Sequence, residues 1–454
     1  LRKGEMSLRD FLSEMDRKGE VLHVEDELSP RFEISAVIKE FDGGPILYFH
    51  RVSGHDMPVV AGVCASRGRI CDALKVDMQT LYTRLLEACD RPLKPKVVSD
   101  GPAMEVSEQP RLGRLPILMH YEGDAGPYIT SAIVSARSPD GEVENVSIHR
   151  LQLLDDRHLA IRIVPRHLYQ LWLMAKERGK DLDVAISIGL HPAVSIAASA
   201  PAPFGVSEYG VANRLLNGEL SLVECEEVDA RAPAEAELIL EARISTSKLV
   251  DEGPLVDATG THDIVRKQPL VEVLRIHRRE SPIYQALLPG GREHWLLMGL
   301  PKEAAIWRAV RHVAPGVKAV CLTPGGCGWL HAVISLEKQT EGDAKNALLA
   351  ALAAHPSLKH AVAVDTDIDI YDPNEVEWAI ATRFQADRDL IVIRGARGST
   401  LDPSADQETG TTTKLGIDAT KPLTKPEQSF KRAEIPRTEK IERIINKLLG
   451  LKHR

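Results

Sequence analysis

Glu144-Asn145-Val146-Ser147-Ile148-His149-Arg150, answered further along by Pro165-Arg166-His167, is the stretch from which the fold is read. Residues 146–154 and 158–164 read as two strands, turned by Asp155-Asp156-Arg157. The hairpin places an amide, a hydroxyl, an imidazole and two guanidinium groups at strand ends. Polar groups in such positions are how a rigid scaffold presents ligands to an anion or a metal. A helix is expected over 168–178, just past Pro165, so Arg166 and His167 stand at its first turn. Free N–H groups and the positive end of the helix dipole favour a phosphate there.

A chain of 454 residues is too long for one core and implies two or three domains. With 43% hydrophobic and 27% charged residues it has the composition of a soluble globular protein. The net charge of −8 argues against a general nucleic-acid or anionic-membrane surface. No apolar run reaches the roughly 18–20 residues of a membrane span, and the charged, amphipathic first twenty residues do not read as a signal peptide. The six cysteines show no CxxC spacing or zinc pattern, and read as buried small hydrophobes of a reducing cytosol. Cys327, within Pro324-Gly325-Gly326-Cys327-Gly328, reads as part of a tight turn.

Outward from the hairpin, the chain divides into four parts. Residues 1–115 alternate helices (8–18, 34–41, 67–74, 78–89) with strands (21–24, 45–49, 57–64), as in an α/β domain. Residues 116–300 are rich in strands, with further ones at 183–190, 236–244, 271–279 and 283–287, which predicts a β-barrel or sandwich. Residues 301–425 open with a helix over 301–312 that starts at Pro301, and continue as a second α/β domain in which 399–425 reads as a long polar loop. Residues 426–454 form a tail with an amphipathic helix, whose Ile441, Ile444 and Leu448 dock either on a neighbouring subunit or on the helix's own domain. The fold class is therefore a mixed α/β, multidomain one.

Two constellations carry chemistry. Asn145, His167 and Glu208 supply an amide oxygen, an imidazole and a carboxylate, a set suited to Mn²⁺ or Mg²⁺ rather than zinc. Glu252-Gly253-Pro254-Leu255-Val256-Asp257 sets two carboxylates around a Gly-Pro bend, with Arg150 as countercharge. An arginine keeps one carboxylate ionised, while an apolar pocket lets another hold a proton near neutrality. Asn145 and Arg150 lie five positions apart, so a flat strand would point them to opposite faces. Either a bulge intervenes or the two serve different edges of one ligand.

Together, Asn145–Arg150, Pro165-Arg166-His167, the run 198–208 (Ala-Ser-Ala-Pro-Ala-Pro-Phe-Gly-Val-Ser-Glu) and Glu252–Asp257 resemble the UbiD family of prenylated-FMN-dependent decarboxylases. The resemblance implies an N-terminal α/β domain, a central split β-barrel that binds the flavin, and a C-terminal α/β domain used in oligomerisation, as homodimer or homohexamer. It implies that Asn145, His167 and Glu208 hold Mn²⁺ against the flavin phosphate, with K⁺ as a further ion. Arg150, Glu252 and Asp257 would form the catalytic network, and Ser147, Ile148, Arg166, His167, Ser199, Pro201 and Lys414 would line the cofactor. Asp257 stands where some relatives have glutamate, one methylene longer. A carboxylic acid would form an adduct with the modified flavin, lose CO₂ and be protonated by Asp257 or Glu252. A prenyl-flavin synthase would supply the cofactor in the cytoplasm, with neither nucleic acid nor membrane as partner. Glu33-Ile34-Ser35-Ala36 and Phe41-Asp42-Gly43-Gly44-Pro45-Ile46-Leu47 are similar to archaeal members that decarboxylate trans-anhydromevalonate 5-phosphate. The stretch Leu287–His294 is similar to members acting on furan or pyrrole carboxylic acids, and in either case Arg292 and His294 are candidates to contact a second anionic group. A simple FMN oxidoreductase or a flavin carrier is the reading outside the family.

Overall fold

The computed structural model describes residues 7–452. Six strands, Tyr128–Arg137, Glu144–Leu153, His158–Ile161, Leu182–Ile188, Leu238–Glu252 and Arg266–Arg278, close into a barrel through pairing of the last two. Every second residue is apolar and buried along Leu238, Leu240, Ala242 and Ile244, and again at Val134 and Ala136, at Val184 and Ile186, and at Val271 and Val273. This period of two is what a strand with one face on a core requires. The barrel anticipated from the sequence is present, with its last two long strands extending well beyond the expected 236–244 and 271–279.

The N-terminal part packs a four-stranded sheet against helices. Its first helix, Leu8–Arg17, opens on a capping box in which Ser7 and Asp10 satisfy each other's backbone N–H groups. Leu8, Phe11, Leu12 and Met15 form its buried stripe. The fourth strand of that sheet, Tyr284–Gln285, comes from beyond the barrel and pairs with Val59–Val60, stitching the two domains together.

Two expectations are corrected. The helix assigned to 301–312 runs from Arg292 to Val313, with Pro301 inside it. Proline forfeits a single backbone bond, and the helix begins earlier because Gly291 serves as its N-cap. It therefore crosses the expected domain boundary at 300/301 unbroken. The region 399–425 is not all loop: Thr411–Ala419 is a strand between His360–Val364 and Leu390–Arg397 in the C-terminal sheet. Its threonines and lysine concealed β-structure behind a polar composition. Glu208 is the first residue of a helix, Glu208–Leu215.

The C-terminal domain is a five-stranded sheet with helices Asp343–Ala354 and Pro373–Arg383 burying its two faces. Among the described residues no helix is long and apolar enough to cross a membrane, and all six cysteines are free thiols.

The long helix is clasped to the N-terminal domain by Glu293, whose buried carboxylate accepts N–H bonds from Gly62 (2.9 Å) and Cys64 (2.7 Å). Burial pushes its pKa up to about 7 against the pull of those bonds. The folded state thus binds more protons than the unfolded one between the ordinary glutamate value and about 7, so this group's contribution to stability falls as pH rises through that window. Chemical denaturation of wild type and Glu293→Gln from pH 4.5 to 8 should show a wild-type-minus-variant stability that declines by on the order of 3 kcal/mol. A flat difference would contradict the assignment.

Candidate active site

Glu208 is placed by its surroundings on the strand Glu144–Leu153. Glu144, at the start of that strand, accepts from Arg231 (2.9 and 2.7 Å) and from the hydroxyl of Ser207, the residue capping the helix Glu208–Leu215. Glu208 then faces the strand: Val146 N–H donates to its Oε2 at 2.7 Å, and the Asn145 amide lies 3.2 and 3.3 Å from its two oxygens. His167, the first residue of the helix His167–Glu177, brings Nδ1 to 3.9 Å from Oε1. The three expected metal ligands therefore converge. Among the described residues no three His, Cys, Asp or Glu side chains gather as a metal set, so this site depends on the amide of Asn145. The Glu208 carboxylate is 4% exposed, and its ion-pair partner is the more distant His167. A buried carboxylate so weakly compensated fits a divalent cation, with the Asn145 amide turned to present its oxygen.

Five positions further along the strand, Arg150 organises the second cluster. Its Nε and Nη2 donate side-on to Glu252 (2.9 and 3.0 Å), Nη1 donates to Asp257 (2.8 Å), and Nη2 also donates to Asp263 (3.0 Å). Burial disfavours the Arg150 charge, but the carboxylates more than offset it and raise its pKa. Burial would likewise raise Asp263, yet its bond to Arg266 and the charges of Arg150 and Arg266 pull it below the usual range. Glu252 is fully sealed, with the Tyr128 hydroxyl 3.2 Å from Oε1, whereas the Asp257 side chain is 20% exposed. Gly253, at φ +92°, supplies the left-handed turn after Glu252, and the loop returns through a Val256–His262 bridge that sets Asp263 beside Asp257.

The parity question has a structural answer. Thr130 and Ser131 of the neighbouring strand stand opposite the single Arg150, so the bulge lies on the partner strand. Glu144–Leu153 itself carries no extra residue in that pairing, and Asn145 and Arg150 belong to two separate clusters about 17 Å of strand apart.

The remaining expected residues fall in different places. Ser147 lies between them, its hydroxyl near Asn145 Oδ1 (3.1 Å) and His149 Nε2 (2.9 Å). The His149 Nδ1–H donates to the Arg162 carbonyl at 3.0 Å, and burial keeps the ring neutral, so Nε2 accepts from Ser147. Ile148 is half-buried against the core formed with the N-terminal domain. Arg166 precedes the helix His167–Glu177 and makes no capping bond with its side chain. The Ser199 hydroxyl turns back to Ile196 and Ser195 carbonyls, Pro201 is exposed, and the loop they begin brings Phe204 edge-on to His167 at 5.5 Å. Lys414 is drawn to the end of the helix Asp343–Ala354, its Nζ donating to the carbonyls of Leu352 and Pro356. His294 stands within the field of Asp257 and Arg150, accepts from Gly290 N–H at Nδ1 (3.1 Å), and is held neutral chiefly by burial. Arg292, two residues earlier on the helix, is exposed and lines a different cleft with Arg67, Trp295 and Tyr371. Asp263, Tyr128 and His149 escaped the list of candidate site residues, although Asp263 is a third acid in the loop already singled out.

Comparison with known proteins shows the family of the chain. Residues 12–89, 96–292 and 295–419 match, in order, the N-terminal, Rift-related and C-terminal domains of 3-octaprenyl-4-hydroxybenzoate carboxy-lyase, the UbiD family. The chain belongs to the UbiD family. The family reading makes it a carboxy-lyase. It is similar to anhydromevalonate phosphate decarboxylase of Methanothermobacter thermautotrophicus, 47% identical over 93% of this chain and 98% of that one. The same-named protein of Aeropyrum pernix is 45% identical over 95% and 96% of the two chains. Among solved structures, the UbiD-class enzyme HmfF from Pelotomaculum thermopropionicum, in complex with FMN, superposes with a TM-score of 0.93 at 44% identity, covering 96% of this chain and 98% of that one. Klebsiella pneumoniae 3,4-dihydroxybenzoic acid decarboxylase gives 0.90 at 28% identity, covering 96% and 98%.

In this UbiD-family member, Asp263 balances Arg150 without closing the network, since Glu252 and Asp257 still hold the guanidinium. Asp263→Asn should lower CO₂ release by about tenfold, on the order of a single charge-assisted hydrogen bond. Arg150→Met should lose at least a hundredfold more. Equal losses in the two variants would show that Asp263 is as central as Arg150.

Proposed function

We propose that this carboxy-lyase decarboxylates trans-anhydromevalonate 5-phosphate, an α,β-unsaturated acid, with bound prenylated FMN and Mn²⁺. The observation that carries the reading is the sealed Arg150–Glu252–Asp257 network on a family barrel strand, together with archaeal relatives of that activity at 45–47% identity over more than nine-tenths of the chain. Asn145, His167 and Glu208 would hold the metal, and Ser147, Arg166 and the loop from Ser199 would meet the flavin, leaving the distance to Arg150 to be spanned by the cofactor's length. Bound prenylated flavin supplies the electron sink that carbon–carbon cleavage needs.

The residues of the chain do the rest. Arg150 fixes the direction of both acids. Glu252 has its oxygens committed to Arg150 and Tyr128, and so serves to hold the arginine. Asp257 is the more open acid and is the one assigned to deliver the proton to the carbon that loses CO₂. Neutral His294 beside it, with its proton on Nε2, can return a proton after turnover. The balance is simple: the carboxylate carbon leaves as CO₂, and one proton takes its place on the chain carbon.

An aromatic acid is the second reading, favoured by the fold match to 3,4-dihydroxybenzoic acid decarboxylase, but that likeness rests on 28% identity. The reading extends to cofactor supply by a prenyl-flavin synthase, a cytoplasmic setting and a homodimer or homohexamer. The exposed Ile441, Ile444 and Leu448 of the terminal helix support a subunit contact.

Two outcomes test the assignment. Asp257→Asn should retain flavin, as read by absorbance, while CO₂ release falls at least a hundredfold; full turnover would remove Asp257 from the proton-donor role. Glu208→Ala should lose both manganese, counted by mass spectrometry, and tightly held flavin. A variant that kept one metal per chain would place the ion elsewhere.

A further inference from the structure

Asp257 and Asp263, two of the acids around Arg150, sit on opposite arms of one hairpin. Asp257 N–H donates to the Thr261 carbonyl (3.0 Å), Asp263 N–H donates to the Leu255 carbonyl (2.8 Å), and Val256 bridges to His262. Val256 directly precedes Asp257, and His262 directly precedes Asp263. One further carboxylate, that of Asp124, meets both of these preceding residues. Its Oδ1 accepts from Val256 N–H at 3.2 Å and lies 3.7 Å from His262 Nε2.

Asp124 is itself held in a turn. Its N–H donates to the Tyr121 carbonyl (3.1 Å), and its Oδ2 accepts from Tyr121 N–H (2.9 Å). The turn is fixed at both ends. The Tyr121 hydroxyl donates to the Pro289 carbonyl (2.9 Å), just ahead of the long helix, and Ala125 N–H donates to the Pro254 carbonyl (2.8 Å). Between them Gly123 leaves room for the imidazole: a Cβ there would meet His262 Nε2 at 2.6 Å and Cε1 at 2.7 Å.

The Asp124 side chain is wholly buried, whereas that of His262 is 42% exposed. Glu252 and Asp257 are compensated by Arg150, but the ion-pair partner of Asp124 is this half-open imidazole. Burial pushes the Asp124 pKa up, while the N–H bonds of Tyr121 and Val256 and the charge of His262 hold it back. Burying a carboxylate costs stability unless hydrogen bonds satisfy it, and the bonds that satisfy Asp124 are ones that fix the hairpin in place.

We propose that Asp124 is a positioning residue for proton delivery: with His262 laid over Gly123, it grips both arms of the acid hairpin, and so sets the aim of Asp257 and keeps Asp263 on Arg150. It acts through the backbone of Val256 and the ring of His262, not through contact with the reacting acid. The inference rests on the proposed role of Asp257 as proton donor.

Two readouts test it, one of them independent of turnover. In the full chain, with or without flavin, hydrogen–deuterium exchange of a peptide spanning 254–266 should quicken about tenfold in Asp124→Ala. It should quicken by less in His262→Ala, where a half-exposed ring is lost and the core stays intact, and peptides from the barrel strands should not change in either variant. In holoenzyme, Asp124→Ala should lower kcat about tenfold, the size of one charge-assisted hydrogen bond, at unchanged KM and flavin absorbance. Asp124→Asn, which keeps an acceptor for Val256 N–H, should lose less. In an Asp257→Asn background, assayed at higher enzyme concentration, Asp124→Ala should cost less than about twofold, because a residue that acts through Asp257 has nothing left to aim. An equal loss in both backgrounds would overturn the proposal. So would wild-type exchange over 254–266, or exchange quickened through the barrel strands as well. Wild-type holoenzyme that releases no CO₂ from the phosphorylated acid would count against the proposed function alone, while exchange still reads the grip of Asp124 on the hairpin.

Discussion

One guanidinium in contact with three carboxylates is the constraint from which the rest of this site follows. Glu252 ends a barrel strand, Asp257 and Asp263 lie on the loop that follows, and all three turn toward Arg150. Without a countercharge, carboxylates this buried would repel one another and take up protons. Arg150 and Arg266, together with the nearby Arg162, bring the local charge back toward balance. The loop's path follows from that need. Gly253 supplies the positive φ, and the Val256–His262 bridge folds the third acid back onto the first two. Removing the arginine would leave buried charges unpaired, which costs about 3–5 kcal/mol in comparable settings.

The barrel converts this local chemistry into a site of defined length. Arg150 and Asn145 share one strand, so their separation is set by backbone rise and not by side-chain flexibility. The bulge at Thr130–Ser131 lies opposite Arg150, and both bulge residues bond to the segment Gln285–Leu287 that leads into the long helix. That helix begins beside Asp257, where Trp295 Nε1–H donates to the Ala258 carbonyl at 2.7 Å, and ends inside the C-terminal domain. It therefore ties acid loop, barrel and C-terminal sheet to one rigid rod.

Much of this was legible in the chain, for physical reasons. Period-two alternation marks barrel strands, and the polar termini of Glu144–Leu153 stand out because a strand end beside a helix start is where ligands are presented. The same logic brought Asn145, His167 and Glu208 into one set, and the Gly-Pro bend marked the acid loop. What was not legible depends on long-range contacts. Asp263 looks like an ordinary loop acid until the bridge at Val256 turns it inward. The strand Thr411–Ala419 is polar because its Lys414 and Asp418 are buried on hydrogen bonds, not because it is exposed. The start of the long helix was hidden by Pro301, a residue that marks a helix beginning far more often than an interior. Parity alone placed Asn145 and Arg150 apart, but not the bulge on the neighbouring strand.

The most direct measurement is turnover of trans-anhydromevalonate 5-phosphate in D₂O by protein produced together with a prenyl-flavin synthase and loaded with manganese. NMR of the product reads the outcome. The account predicts CO₂ and 3-methylbut-3-enyl phosphate in equal amounts, with one deuterium on the carbon that carried the carboxylate. Folded protein that holds flavin and metal yet releases no CO₂ from this acid would contradict it.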